Sequence, residues 1–150
     1  MKELHGTAAE FVAAPLDQCF ALLADIDGYP SWYPDAVRGV EVLDHDADGR
    51  PSRVRAKLHL SQGPLVKDFD LVLAVELEPH RMVKLTKATE SSREQFGVIW
   101  QLRAGESTRI ELHLHASLSV PRFLPVGGIG DSIARGFLAA ATSALGRPTA

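Results

Sequence analysis

Hydrophobic positions recur along this chain with two different periods. Leu16, Cys19, Phe20 and Leu23 fall at i, i+3, i+4 and i+7, the spacing of one buried helix face. Pro15 stands just ahead of them, where a helix tolerates its missing N–H. The spacing therefore predicts a helix through PLDQCFALLAD, behind an extended N-terminal stretch that ends in EFVAA. Between residues 37 and 120 the period falls to two. The alternating sets are VEVL (40–43), then Val54, Ala56, Leu58 and Leu60, then Phe69, Leu71, Leu73, Val75 and Leu77. Phe96, Val98, Trp100 and Leu102 follow, then Ile110, Leu112, Leu114, Ala116, Leu118 and Val120, with a shorter MVKLT between the third and fourth sets. DADGRP, SQGP, EPH, SSRE and AGES separate these runs as turns. Alternation of this kind fits an antiparallel meander with one solvated face, and its long strands imply strong curvature. Beyond FLPVGGIG, a stripe of Val126, Ile129, Ile133, Phe137, Ala140 and Ala144 is widened by Ala134, Leu138, Ala141 and Leu145. Only Asp131, Arg135 and Thr142 form a polar edge, and a helix this apolar must be largely covered. The order predicts an α+β fold: one curved antiparallel sheet of about seven strands around a long C-terminal helix, with two short helices after the first strand.

Composition narrows the picture. A chain of 150 residues, 45% hydrophobic and 23% charged, fits one globular domain over residues 1–150, with 146–150 expected as a frayed tail. A formal charge of −3 disfavours nucleic acid, which needs an excess of Lys and Arg. No run approaches the ~20 apolar residues that span a bilayer, and MKELHGTAAEF lacks the apolar core of a secretory signal. Cys19 is the only cysteine, so no internal disulfide forms and a cytoplasmic location is expected. With no His or cation on its helix face, it reads as a structural thiol.

Residues 24–35, ADIDGYPSWYPD, gather Asp25, Asp27 and Asp35 with Tyr29, Trp32 and Tyr33. Each aspartate suits a helix end or turn, so the aromatic trio is the unusual feature. Ala14-Pro15 opening the helix, Asp25 closing it, then Asp27, Tyr29-Pro30, Trp32 and Pro34 form a pattern that, with the element order, resembles the START-like or Bet-v-allergen-like superfamily, the helix-grip fold. Within it the chain is most similar to the polyketide cyclase/dehydrase and coenzyme-Q-binding branch. The resemblance implies an elongated cavity between sheet and long helix. Relatives hold sterols, lipids, quinones, hormones or polyketides there, and a minority catalyse cyclisation and dehydration.

The strand faces decide what that cavity can do. Arg53, Arg55, Lys57 and His59, then Asp68, Asp70 and Glu76, then Arg109, Glu111, His113 and His115 alternate with the apolar sets, so they are expected outside. The interior is left almost without proton donors or acceptors, which favours binding over catalysis. A hydrophobic ligand (lipid, isoprenoid, quinone or polyketide) is expected. Tyr29, Trp32 and Tyr33 would stand at the rim, Phe69, Leu71, Val98, Trp100, Leu112 and Leu114 in the lining, and Ile133 and Phe137 on the helix wall. The small residues of that helix leave space for ligand or for closer packing. The alternative is an aromatase/cyclase with Tyr29 or Tyr33 as proton relay. A third class implied by the resemblance is regulatory binding to a ribosome or a respiratory partner, of which the acidic charge disfavours the ribosome. Phe123, in VPRFLPVGGIGDSI (120–133), belongs either to a flap over the cavity mouth or to a plain connection. No cofactor is expected, because GGIG lacks the Lys-Ser/Thr of a P-loop. No metal is expected either: His113 and His115 form an H-x-H pair for which the sequence names no third ligand.

Overall fold

The computed structural model describes residues 2–88, 93–121 and 123–146. Strand β1 (Lys2–Val12) leads into helix α1 (Leu16–Ala24), a single 3-10 turn (Ile26–Gly28) and the one-turn helix α2 (Tyr29–Trp32). Six strands follow: β2 (Val37–His45), β3 (Pro51–Gln62), β4 (Leu65–Glu78), β5 (Met82–Lys87), β6 (Gln95–Arg103) and β7 (Thr108–Leu118). Helix α3 (Ile129–Leu145) closes the chain. The strands form one antiparallel sheet in the order β1-β7-β6-β5-β4-β3-β2. This is the predicted helix-grip architecture: successive hairpins lay down β2 to β7, and β1 adds to the far edge. The α1–α2 segment connects the two outermost strands. Among the described residues no helix is long and apolar enough to cross a membrane. The SSRE turn lies partly, and 147–150 wholly, outside the described residues.

Strands β3, β4, β6 and β7 bury every second residue over most of their length, as their alternation requires. Val54, Ala56, Leu58 and Leu60 on β3 and Ile110, Leu112, Leu114, Ala116 and Leu118 on β7 are all buried. The alternate positions carry the charges outward and pair them. Arg55 grips Asp70 through two hydrogen bonds of 2.7 Å, His59 Nδ1 lies 2.6 Å from Asp68, and Arg109 donates to Glu111 at 2.6 Å. These pairs range from half-buried to exposed on the outer face, and the exposed ones contribute little stability each. Two boundaries differ from the pattern: Val120 lies beyond the end of β7, and Val126 precedes α3. Both remain half-buried against the core, which is why they continue the hydrophobic stripes.

The buried face of α3 comprises Ile129, Ile133, Ala134, Phe137, Leu138, Ala141 and Leu145. Its small residues serve close packing at two places. A Cβ on Gly130 would sit 2.3 Å from the carbonyl oxygen of His5, and one on Gly6 would sit 2.0 Å from the carbonyl oxygen of Gly130. Helix and strand thus meet backbone to backbone. The contact is secured by the Thr7 N–H donating to Asp131 Oδ1 at 3.0 Å. Nearly two turns farther along, a Cβ on Gly136 would meet the Tyr33 hydroxyl at 2.6 Å.

Candidate functional site

The concave face of the sheet and α3 enclose an apolar pocket. Ala56 and Leu58 of β3, Leu73 of β4, Leu85 of β5 and Phe96, Val98 and Trp100 of β6 face Phe137 of α3. Ile26, Tyr29, Val37 and Val40 complete the wall. The enclosed volume is about 30 Å³, close to one water's share of the liquid. Drug-sized ligands occupy roughly 300–1,000 Å³, so in this conformation side chains fill most of the interior.

Two side chains of this wall, Tyr29 and Trp100, carry polar atoms, which lie buried behind its apolar surface. Tyr29 is buried because α2 is a single turn, which places its ring under the end of α1. There its hydroxyl donates to the carbonyl of Leu23 at 2.6 Å. Burial pushes the hydroxyl's pKa far above that of ordinary tyrosine. The Trp100 indole faces the same oxygen and opposes that shift, without closing a hydrogen bond. Trp100 is fully buried, and its N–H has no partner among the described residues. An unpaired buried donor costs about 1–3 kcal/mol, a cost that an acceptor placed in the pocket would offset.

A second, more polar cleft of about 220 Å³ opens on the far side of the aromatic cluster, between Tyr33, Asp35, His59, Ser61, Gln62 and Ile133. Tyr33 stacks nearly parallel to Trp32 at 6.3 Å and meets Phe137 edge-on at 4.8 Å. Phe137 lines the inner pocket and Tyr33 the outer cleft, so these two rings form the partition between them. Burial, followed by the charge of Asp35, pushes the Tyr33 hydroxyl up.

The residues singled out from sequence separate into five groups. Tyr29, Val98, Trp100 and Phe137 meet around the inner pocket, and Tyr33 and Ile133 line the outer cleft. Trp32 is buried between Tyr29 and Tyr33 rather than set at an opening, because the single turn of α2 directs its indole into the core. Phe69, Leu71, Leu112 and Leu114 are core residues outside the pocket lining. Phe123 is 85% exposed and lines neither space. Of the remaining lining, Val40, Ala56, Leu58, Leu73, Leu85 and Phe96 fall in the alternating sets without having been assigned to the site, and Ile26 and Val37 fall in none. Ile26 and Val37 flank an irregular segment with no period, and Val40 sits beside a β2 bulge that shifts the register between Val37 and Gly39.

The aspartates of the aromatic stretch form no cluster of three. Asp25 shares a hydrogen bond with Asp27, and that bond, with burial and the neighbouring charge, raises the pKa of Asp25 to about 6. A carboxyl whose folded pKa is raised contributes stability below its unfolded value, and this is lost as pH rises through the folded one. Asp25→Asn is accordingly expected to stabilise the protein at neutral pH by less than about 1 kcal/mol, the side chain being solvent-screened. That advantage should fade as the pH falls below about 6. Urea unfolding of both proteins across this range checks it; a constant difference would separate the effect from the carboxyl pair.

Comparison with known proteins adds family to geometry. The model of the family described as polyketide cyclase / dehydrase and lipid transport matches residues 12–142. No curated protein matches. Among solved structures, the chain is similar to a START superfamily protein from Mycobacterium smegmatis, with TM-score 0.76, 16% identity, and 95% of this chain and 97% of that one covered. A major latex-like protein from Panax ginseng gives TM-score 0.70 at 7% identity, covering 97% of this chain and 99% of that one. The di-domain ARO/CYC protein BexL of the BE-7585A biosynthetic pathway gives TM-score 0.68 at 10% identity, with 98% of this chain covered and 51% of that chain. At these identities the likeness is one of fold.

Proposed function

We propose, from the premise that the chain belongs to the polyketide cyclase / dehydrase and lipid transport family, that it binds a hydrophobic small molecule carrying at least one hydrogen-bond acceptor. A quinone or other isoprenoid, a lipid or a polyketide has that chemistry. The observation that carries the reading is the wholly apolar pocket between sheet and α3, with the indole N–H of Trp100 buried behind its wall without a partner among the described residues. Burial at roughly 25 cal/mol per Å² supplies the affinity, and the indole orients one oxygen. Entry runs from the outer cleft past Tyr33 and Phe137. When these rings swing aside, the inner and outer spaces join and approach the size of a small-molecule site.

Native mass spectrometry of protein purified from its own host, compared with the denatured chain, tests this reading. A co-purifying lipophile with an oxygen acceptor is expected. Trp100→Phe should weaken its binding by about 1–3 kcal/mol while sparing a pure hydrocarbon of the same size. An equal loss for both ligands would remove the indole from the account.

A catalytic version of the same site rests on Tyr33. Tyr29 is poorly suited to relay protons, since its own is donated to Leu23. The Tyr33 hydroxyl has no such partner among the described residues and opens on the polar cleft. Full turnover of a polyketide substrate by Tyr33→Phe would remove Tyr33 as the relay, and no turnover by the wild type would leave the protein as a binder.

A further inference from the structure

We propose that Glu3, His5 and His115 form a binding site for a divalent metal ion of the zinc class on the outer face of the β1–β7 pair. The antiparallel register sets His5 directly opposite His115, and their rings lie 4.6 Å apart at an angle of 31°. Glu3, two residues before His5 on the same strand face, brings a carboxylate oxygen to 3.7 Å from His5 Nε2. One donor atom from each of the three lies within 4.8 Å of the others.

The donor set selects the metal. Two imidazoles and one carboxylate suit Zn²⁺ and its neighbours in the transition series, whereas Mg²⁺ and Ca²⁺ require oxygen ligands throughout. Tetrahedral zinc with ligands at about 2.0–2.2 Å needs donors roughly 3–3.5 Å apart. Modest side-chain rotation closes the remaining gap, and the exposure of all three groups leaves that rotation free. The backbone is already fixed, because both histidines sit in mid-strand positions of a paired ladder.

The register also explains why the H-x-H pair is not the chelate. His113 Nε2 is drawn to Glu111 Oε1 at 2.8 Å, and the residue opposite it on β1 is Thr7. His115 therefore takes its partner from the neighbouring strand rather than from its own. His5 and His115 border a cleft of about 330 Å³ together with Thr7, Lys84 and Thr86. The fourth coordination position has room there for water or a small anion.

The site is tested on the full chain without an affinity tag, titrated with Zn²⁺ in competition with a chromophoric chelator. One equivalent is expected to bind with micromolar affinity. Replacing either ligand histidine (H5Q or H115Q) should weaken it by at least about tenfold, since even outer-shell partners of a metal carry that much. His113→Gln should leave affinity within about twofold, and Glu3→Gln should fall between these cases. Because the ion bridges the edge strand to its neighbour, Zn²⁺ should also raise the melting temperature of the wild type and of His113→Gln, and not that of His115→Gln. Absence of stoichiometric binding by the wild type, equal losses from His113→Gln and His115→Gln, or full binding by His5→Gln would each overturn the site. All four side chains lie outside the core, so folding of the variants is verified by their unfolding transitions without metal.

Discussion

Replacing Gly130 by valine is expected to remove at least about 3 kcal/mol of folding stability, a large part of the 5–15 kcal/mol typical of a domain. The added Cβ would lie 2.3 Å from the His5 carbonyl oxygen and 3.0 Å from the His5 nitrogen. Both are main-chain atoms of a paired strand, so neither can turn aside as a long side chain would. The helix must lift instead, and its buried stripe begins at this point with Ile129 and Ile133. Gly127→Ala is the control, because nothing lies within 4 Å of a Cβ there. Urea unfolding should show a much lower midpoint for Gly130→Val and little change for the control. Equal midpoints would mean that the backbone contact between α3 and β1 is looser than described.

Phe137→Ala should have the next largest effect, and it acts on stability and binding in opposite directions. Truncating a buried phenylalanine costs about 3–5 kcal/mol, part of it from the cavity left behind. Here the new space adjoins the existing pocket and removes one of the two rings of the partition. A cavity of that kind, on the order of 150 Å³ and lined by aliphatic and aromatic groups, stays dry and accepts benzene-sized molecules. The variant should therefore melt earlier than the wild type yet gain more melting temperature from saturating benzene or indole. A ligand shift no larger than that of the wild type would indicate collapse of Tyr33 into the space.

Much of the fold was legible because its periods are regular. The alternation on β3, β4, β6 and β7 identified the buried faces, and the stripe on α3 identified the covered helix. The site was legible only where a local pattern also carried the tertiary placement. Val98 and Trp100 alternate inward on a central strand, and Phe137 lies on the buried side of α3, so both patterns led to the pocket. Leu112 and Leu114 alternate inward just as clearly, but they sit on β7, next to the edge strand against which α3 packs, and that shields them from the pocket. Trp32 and Phe123 show the converse. An aromatic side chain in a turn-rich segment carries no period to say which way it faces, and one is buried while the other is exposed. The partner of His115 was hidden for a stronger reason: His5 becomes its neighbour only through a register between strands at opposite ends of the chain.

That register also governs how the chain must acquire its structure. Lys2 pairs with Leu118 and Val12 with Thr108, so β1, made before the other strands of this sheet, has no strand partner until the last of them, β7, has emerged. Loop-closure entropy on this scale makes folding slow. The β2–β7 meander can assemble hairpin by hairpin, while β1, with Phe11 two-thirds exposed even in the finished sheet, waits as an unpaired edge. Cellular yield should therefore depend less on equilibrium stability than on how well that waiting segment avoids other nascent copies of itself.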